Sequence, residues 1–297
     1  MKNQFGLSAA ILIVSIACLS CSNEEELNTK SFNEKKTELK ILPIIEGQYG
    51  TTSRAVKSSF ASGDVIGWYL ANSGTTYLGT SYMNKTLTYT TAWAMETTPK
   101  LTGEKGTLYA YYPWSSTYTT NFNSIAVETA SQTDYMWGSV SGFTSANPSK
   151  TLTMKHALAQ IAVKIVKGSY AYTGSVTAVK VKGANLGTTG TLNATNGDIT
   201  VSAGTGTDIT LGGGTQTIDT TGKTWTSIFV QVGTNATPSV TITIDGINYS
   251  TLLPSFMPEA GKRYVYTVTV NSGTMVVNSA VDITPWQEVA AGNGTIL

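Results

Sequence analysis

The chain contains few of the residues on which most catalytic and metal-binding sites depend. It has 297 residues, of which 2 are cysteines and 1 is a histidine, His156. Both cysteines, Cys18 and Cys21, lie near the N-terminus, so no thiol follows residue 21. Disulfides, cysteine-ligated metals and thiol nucleophiles are therefore excluded from the rest of the chain. A multi-histidine zinc site cannot be built, and a Ser-His-Asp triad would have to use His156.

Charged residues are scarce as well. They make up 12% of the chain, the formal net charge is +1 at pH 7, and no basic patch stands out. A nucleic-acid partner therefore has no electrostatic support. Threonine, serine, glycine and tyrosine fill the polar positions instead, which is typical of an extracellular β-protein. Since nothing in the sequence is arranged as a reaction centre, we expect no enzyme activity, no cofactor and no metal site.

The N-terminal residues have the pattern of a bacterial lipoprotein signal. Lys2 precedes an apolar run over residues 7–19, and Ser20 precedes Cys21. A charged start, a short apolar stretch and a small residue before the cut are the parts of a secretory signal. The run is shorter than the stretch of about 20 apolar residues that a spanning helix needs. We therefore expect residues 1–20 to be removed and Cys21 to be lipidated.

A polar segment follows the signal. Residues 21–38 are polar and charged, which predicts a flexible tether between the lipid and the fold. The run SNEEE (residues 22–26) resembles the acidic export tag of surface lipoproteins in Bacteroidetes, which implies an outer-membrane lipoprotein at the cell surface. Two alternatives stay open, a plain secretory signal with an incidental cysteine and acylation at Cys18.

Beyond the tether, the pattern is strand after strand. We expect strands over residues 65–70, 107–112, 125–127, 161–165, 179–181, 240–244 and 264–270, and over residues 240–244 valine and isoleucine alternate with threonine. Period-2 alternation bounded by Gly, Asn and Pro indicates strands with one buried face. Turn signals about ten residues apart favour antiparallel sandwiches over βαβ units. The predicted fold class is all-β, with two β-sandwich domains in tandem, and only residues 155–160 allow a helical turn.

A loop cluster at residues 145–149 predicts the domain boundary. We expect an N-terminal domain over residues 39–148 and a C-terminal domain over residues 149–297. The first strand of the N-terminal domain, residues 39–45, contains Pro43, which cannot donate to a ladder and therefore predicts a sheet edge. The small, polar loop that follows it is typical of an exposed site of proteolytic nicking.

Two polar residues and a set of aromatic residues are weighed as functional sites. His156 has no serine or aspartate arranged around it in the sequence, so a structural role at the domain junction is favoured over a general base. Asp64, next to a glycine, is favoured as a turn residue over a ligand. Core or sheet-face positions are favoured over a glycan-stacking platform for four tryptophans, Trp68, Trp93, Trp114 and Trp137.

Six blocks together resemble the fimbrillins of Bacteroidetes, in which similar blocks occur in the same order. They are FASGDVIGWY (residues 60–69), AYYP (110–113), DYMWG (134–138), LTMKHALAQIAVKI (152–165), GKRYVYTV (261–268) and ITPW (283–286). No block is specific alone. The resemblance extends from the signal to the last residues of the chain.

The resemblance implies a pilus subunit made of two transthyretin-like sandwiches and exported as a lipoprotein. In such subunits a surface protease cuts at an arginine after the first strand, and the vacated groove accepts a strand from a neighbouring subunit. Arg54 stands at that position here, so gingipain-type or other trypsin-like cleavage between Arg54 and Ala55 would remove residues 39–54 with the lipid anchor. The implied partners are other fimbrial subunits, in a homo- or hetero-polymer that supports adhesion.

The segment of residues 275–283 is the best local candidate for a donor strand. Met275, Val277, Val281 and Ile283 fall on one face of it. The segment is equally well explained as the last strand of its own domain, and stalk, tip and anchor roles stay open. The alternative function is a monomeric surface lipoprotein that binds a glycan or a host protein through aromatic loops.

Overall fold

The regular structure consists of strands. The computed structural model describes residues 37–46, 57, 59–72, 74, 76–118 and 121–278, together with the backbone of residues 282–285. None of these residues is helical. The prediction of an all-β protein is confirmed.

In the described residues, ten strands precede residue 157 and thirteen follow it. The first ten are β1 (Thr37–Glu38), β2 (Lys40–Ile45), β3 (Val65–Ala71), β4 (Tyr82–Tyr89), β5 (Trp93–Met95), β6 (Lys100–Leu101), β7 (Gly106–Tyr112), β8 (Ile125–Glu128), β9 (Met136–Phe143) and β10 (Ser149–His156). The others are β11 (Ala159–Lys167), β12 (Ser175–Lys182), β13 (Leu186–Gly187), β14 (Thr189–Leu192), β15 (Ile199–Ala203), β16 (Asp208–Thr210), β17 (Gln216–Thr217), β18 (Lys223–Gln231), β19 (Ser239–Ile244), β20 (Ile247–Leu252), β21 (Lys262–Asn271), β22 (Thr274–Val277) and β23 (Asp282–Pro285).

A seven-stranded sheet organises the first half of the described chain. Its order is β2-β10-β9-β7-β3-β4-β5, and all neighbours are antiparallel except β2 and β10. The inner strand β3 has the sequence VIGWYLA and is buried on both faces. Its apolar residues therefore form a continuous run rather than a strict alternation. The sheet is consequently packed from both sides.

One face of this sheet packs on a first core. Its fully or nearly buried members are Leu39, Ile45, Ile66, Trp68, Leu70, Tyr77, Leu87, Leu101, Leu108, Ala110, Met136, Phe143, Leu152 and Met154. The indole of Trp68 keeps its hydrogen bond there by donating to the Thr86 carbonyl at 3.0 Å. Each buried aliphatic or aromatic side chain contributes about 1.5–3 kcal/mol, so this core holds the sheet to the segments that cover it.

Tyrosines of the opposite face belong to a second core. Tyr69 and Tyr111 stack at 6.0 Å between ring centroids and join Ile125 of β8 in that core. Burial is the main cause that raises the pKa of Tyr111 to about 12. The hydroxyl of Tyr111 therefore stays protonated at neutral pH, and it donates to Asn84 Oδ1 at 2.6 Å.

A three-stranded sheet, ordered β15-β14-β8, pairs a strand of the first half of the described chain with two strands of the second half. Trp137 of β9 packs against Gly197, which lies between β14 and β15 and has φ of +80°. A Cβ at this glycine would overlap the Trp137 indole. The close approach of the tryptophan and the left-handed backbone both require glycine here.

The second half forms a sandwich. A six-stranded sheet, β13-β18-β11-β21-β22 with β23 also paired to β21, contributes Val163, Ile165 and Tyr266 to the second core. A five-stranded sheet, β16-β12-β19-β20 with β17 also paired to β12, contributes Val179 and Ile242 to the same core. The alternation predicted over these strands is confirmed, because alternate residues of β19 and β21 are buried.

The first unit extends past the expected boundary. Strand β10 pairs with β9 and with β2. The seven-stranded sheet therefore includes residues up to His156, beyond the domain boundary expected at residue 148. The loop cluster predicted at residues 145–149 forms the turn between β9 and β10, which is closed by a bridge between Thr144 and Asn147. The same residue types favour the turn of a hairpin and a linker between domains, so the cluster alone does not distinguish the two. The division into two domains stays a prediction.

The helical turn expected over residues 155–160 is wrong. His156 ends β10, Ala159 begins β11, and only Ala157 and Leu158 lie between the two strands. Both residues are fully buried. The apolar run there reflects a strand-to-strand crossing through the interior, which a short apolar stretch does not distinguish from a buried helix.

Replacing Gly197 by alanine should destabilise the protein more than replacing Gly206. Both glycines have positive φ, +80° and +71°, so alanine is strained by about 1 kcal/mol at either position. Only the Cβ at position 197 meets the Trp137 indole, because nothing lies within 4 Å of one at position 206. We expect Gly197→Ala to lose about 1–3 kcal/mol more unfolding free energy in urea denaturation. Equal losses would show that the Trp137 contact contributes nothing.

Candidate functional site

The first long strand, β2, lies at the edge of the seven-stranded sheet. Among the described strands it pairs with β10 alone, in a parallel ladder that runs from Lys40 opposite Ser149 to Ile45 opposite Met154. The edge position predicted from Pro43 is confirmed. Lys40 donates its backbone N–H to the Pro148 carbonyl at 2.9 Å, and Glu46 donates to the Met154 carbonyl at 2.7 Å.

These two hydrogen bonds explain why β2 tolerates a proline at position 43. In a parallel ladder alternate N–H groups point to opposite sides of a strand. Since Lys40 and Glu46 donate toward β10, the even-numbered positions face that strand and the odd-numbered ones face the open edge. Pro43 therefore lacks its N–H where no ladder partner is present, which is the position that an edge strand tolerates.

Alternate side chains of this segment point into the first core. Leu39 and Ile45 are each 2% exposed, Pro43 is buried and Ile41 is partly buried against the core. Leu42, on the other face, is 57% exposed. Four apolar side chains at every second position thus hold the edge strand in place.

The preceding residues are attached separately. Strand β1 pairs with β6, where Thr37 lies opposite Leu101 and Glu38 forms an ion pair with Lys100. Leu39 donates its N–H to the Pro99 carbonyl at 3.1 Å. The ion pair involves exposed side chains and adds little stability. The apolar side chains and the ladder to β10 therefore carry most of the attachment of residues 37–46.

A polar cluster holds the chain at Lys57, the first described residue after residue 46. The Lys57 ammonium lies 2.7 Å from Asp64 Oδ2 and 5.4 Å from the Tyr112 ring centroid. The backbone N–H of Lys57 donates to Asp134 Oδ2 at 2.9 Å, and Asp134 Oδ1 lies 3.0 Å from His156 Nδ1. We name these five residues, Lys57, Asp64, Tyr112, Asp134 and His156, the Lys57 latch.

Asp64 is the centre of the partly buried side of the latch, which includes Lys57 and Tyr112. Besides Lys57, its carboxylate accepts the Tyr112 hydroxyl at 2.9 Å and the Ala61 backbone N–H at 2.6 Å. Burial first, and then the hydrogen bond to Asp64, raise the pKa of Tyr112, so its hydroxyl remains a donor. The turn role expected for Asp64 is confirmed by the bond to Ala61. His156 is buried in the pair with Asp134, as its structural interpretation requires.

Sequence reasoning missed the latch. Lys57 and Asp134 are 77 residues apart, and neither belongs to a motif of its own. Asp134 stood in the DYMWG block, but only the resemblance, and no chemical pattern, drew attention to it. The sequence pattern singles out Asp64 and His156, but it does not indicate that Lys57 and Asp134 are their partners.

The predicted site residues fall in different places. Cys21, Arg54, Ala55 and Val281 lie outside the described residues. Met275 and Val277 lie in β22, pair with β21 and pack against the second core. The backbone of Ile283 lies in β23, opposite Tyr264. The structure therefore places the described part of the donor candidate in its own sheet, away from the first core that holds β2. Its role as a donor stays a prediction.

The four tryptophans do not share a surface. Trp68 is fully buried in the first core, and Trp137 packs against Gly197. Trp93 packs on Phe60 with ring centroids 4.9 Å apart. Trp114 is the one of the four that is exposed, at 36% of its surface. Core and sheet-face roles are therefore confirmed for the first three.

Neither metal ligands nor a membrane-spanning helix occur in the described part of the chain. No group of three or more His, Cys, Asp or Glu residues is placed there to hold a metal ion. Over the same residues, no helix is long and apolar enough to cross a membrane.

The described residues define an all-β protein with two buried cores, in which the first long strand, β2, is held at a sheet edge by its ladder with β10. The chain belongs to the fimbrillin-like family, whose model matches residues 53–286. A curated protein of Bacteroides uniformis, provisionally named fimbrium subunit Fim1C, is 27% identical over 99% of this chain and 97% of its own length.

Solved structures share the fold. The crystal structure of a provisionally assigned cell adhesion protein from Bacteroides uniformis superposes with a TM-score of 0.66 at 21% identity, over 85% of this chain and 99% of that one. One from Bacteroides ovatus gives a TM-score of 0.64 at 20% identity, with the same coverage of 85% and 99%. At these identities the likeness establishes the architecture.

Two substitutions in β2 should separate its inward face from its outward face. Ile45→Ala removes a buried side chain from the first core, and we expect a loss of about 2–5 kcal/mol of unfolding free energy. Leu42→Ala changes an exposed residue of the same strand, and we expect a change within about 0.5 kcal/mol. Denaturant unfolding of the two variants measures both. A larger loss for Leu42→Ala would contradict the assigned faces of the strand.

Proposed function

We propose that the protein is a structural subunit of a cell-surface fimbrium, exported as a lipoprotein and assembled by strand exchange after proteolysis between Arg54 and Ala55. The observation that carries the proposal is the attachment of β2. This strand lies before Arg54 in the chain, pairs with no strand but β10 in the part of the chain that the structure describes, and occupies the first core through every second side chain. The assembled fimbrium supports adhesion.

Cleavage changes the nature of this attachment. While the chain is intact, β2 is tethered to its own groove and rebinds whenever it opens. Once the link is cut, the strand can diffuse away, because only the β10 ladder, the short pairing of β1 with β6 and the apolar contacts retain it. Departure of β2 would expose unpaired backbone groups of β10 beside the space left by Leu39 and Ile45. Such an edge is a template for a strand from another subunit.

The lipid anchor fits the same sequence of events. Cys21 lies before the cleavage position, so proteolysis would release the folded part of the chain from the outer membrane. One acyl chain binds membranes only marginally, and stable anchoring needs more than one. Acylation at Cys21 therefore serves export and retention until the subunit is processed.

The comparisons support this interpretation. The fimbrillin-like match begins at residue 53, next to Arg54, and leaves β1 and β2 outside it. The relative that covers nearly the whole chain is named a fimbrium subunit. Other fimbrial subunits are the partners that this family membership favours.

The donor candidate is residues 275–283, within the last strands of the described chain. Within the described residues, strands β22 and β23 each pair with β21 alone, at one edge of the six-stranded sheet. Val268 lies opposite Val277 whereas Val265 lies opposite Asp282, so the register shifts between the two strands. A segment at an edge, with interrupted pairing, is released with fewer broken hydrogen bonds than an inner strand. The same pairing supports the alternative, in which the segment completes its own domain.

A monomeric lipoprotein that binds a glycan or a host protein is the second function. It would need neither cleavage nor a donor strand. Nothing in the described geometry favours it, because three of the four tryptophans considered for a glycan platform are packed within the protein.

Changing Arg54 to alanine should stop processing and assembly together. We expect cells that make this variant to carry the full-length, palmitate-labelled protein and to form no ladders on unboiled gels. The physical reason is that β2 stays covalently tethered to its groove. Metabolic palmitate labelling and gel electrophoresis of surface fractions measure both effects.

Two variants control this experiment. Lys105→Ala removes an exposed basic residue from another loop and should assemble normally. Cys21→Ala should lose the label, which identifies the acylated residue, whereas loss in Cys18→Ala alone would assign it to Cys18. Ladders of normal length from the Arg54→Ala strain would overturn the cleavage mechanism.

The double variant Val281→Asp with Ile283→Asp tests the donor segment. If the segment is donated, we expect a folded, processed monomer that does not polymerise, because charged side chains cannot fill an apolar groove. Val276→Asp, at a position that is 53% exposed in β22, is the matched control and should assemble. Circular dichroism and unboiled gels separate the outcomes. A double variant that fails to fold would assign the segment to its own domain.

A further inference from the structure

We propose that the Lys57 latch selects the cleavage site, directing a trypsin-like protease to Arg54 and protecting the bond after Lys57. The inference rests on the proposed processing at Arg54, to which it adds a determinant of specificity. Two basic residues lie only three positions apart in the sequence. A protease that accepts both would produce two N-termini, Ala55 and Ser58, unless the fold distinguishes them.

The latch engages the Lys57 side chain from two directions. Its ammonium lies 2.7 Å from Asp64 Oδ2 and over the Tyr112 ring, and the side chain is only 20% exposed. Trypsin recognises lysine and arginine by placing the cationic group against an aspartate in its own pocket. The ammonium of Lys57 must leave Asp64 and the aromatic ring before it can enter such a pocket.

The latch also holds the backbone of Lys57. The N–H of this residue donates to Asp134 Oδ2 at 2.9 Å, and Asp134 is itself held by His156 at 3.0 Å. Both Asp134 and His156 are buried. A protease binds its substrate as an accessible extended segment, so the main chain at Lys57 must detach from a buried carboxylate first. Cleavage there follows the open fraction of the latch.

Opening the latch has a direct energetic cost. Detaching the main chain would leave Asp134 buried without one of its hydrogen-bond donors, which costs more than an exposed pair. Removing Lys57 from Asp64 breaks a partly buried, charge-assisted bond and a cation–π contact. Together these terms predict that the bond after Lys57 is cleaved at least about tenfold more slowly than in an unstructured peptide.

The wild-type test compares the protein with a peptide. The lipidated protein, purified in detergent, is digested briefly with trypsin, and the N-terminus of the resistant product is identified by mass spectrometry. A synthetic peptide of residues 47–62 contains both basic residues without the latch. We expect the peptide to be cut at both positions and the protein to give Ala55, with the share of Ser58 lowered about tenfold.

Variants test the individual contacts. Asp64→Ala frees the ammonium, and Asp134→Ala frees the backbone N–H, so we expect either to restore the Ser58 product about tenfold. Asp219→Ala is the matched control, because it removes a comparable contact, 2.8 Å from Lys223, far from the latch in sequence. It should leave the N-terminus unchanged. Adding Lys57→Gln to Asp64→Ala should abolish the Ser58 product. Circular dichroism verifies that each variant is folded.

The outcomes separate the two proposals. A wild-type share of Ser58 equal to that of the peptide, or folded Asp64→Ala and Asp134→Ala proteins that both begin at Ala55, would overturn the latch. If Arg54 stays uncut in the wild type, the processing proposal fails. The latch is then still supported when Ser58 appears only in the two variants, and overturned when it does not.

Discussion

The rest of the described structure depends on a crossing of two buried residues. Ala157 and Leu158 join the last strand of the seven-stranded sheet to the first strand of the six-stranded sheet, and neither is exposed to solvent. Ala157 donates its N–H to the Tyr135 carbonyl at 2.8 Å, and its own carbonyl accepts from Gln231 at 2.9 Å. Because the crossing is short and both backbone polar groups of Ala157 are bonded within the protein, the strands on either side are held in a defined relation. A flexible linker would not provide this.

Contacts beside the crossing reinforce it. The side chain of Gln132 donates to Ser227 Oγ at 3.0 Å and accepts the Ile228 N–H at 2.8 Å. Strand β8 pairs with β14, which lies later in the chain than the whole first sheet. Long-range hydrogen bonds of this kind distribute the attachment over several segments.

Sheet edges are where this molecule differs from a closed β-protein. The first long strand lies at an edge of one sheet, and the last two described strands lie at an edge of the other. An edge strand completes its sheet with hydrogen bonds on one side only, so it is the element that a protein can exchange at the lowest cost. Pro43 marks the first of these edges chemically, because the open side of β2 needs no donor at that position. An inward row of apolar side chains then gives the strand both its affinity for the groove and its register.

The local features of this protein follow from the sequence. Alternation identified strands such as β19 and β21, and Pro43 identified a sheet edge. The scarcity of cysteine and histidine excluded disulfides and multi-histidine zinc sites from the folded part of the chain. These features depend on the residue itself or on neighbours within one strand, so they can be read without knowledge of the fold. Other features follow from the packing of distant segments. These are the place of β10 in the first sheet, the parallel pairing of β2 with β10, and the hydrogen bond from the Lys57 N–H to Asp134, 77 residues away. The physical reason is that a period of two specifies which face of a strand is buried but not which strand pairs with it. Partner choice is set by how distant segments pack, and the polar contacts of the latch exist only after that packing is complete.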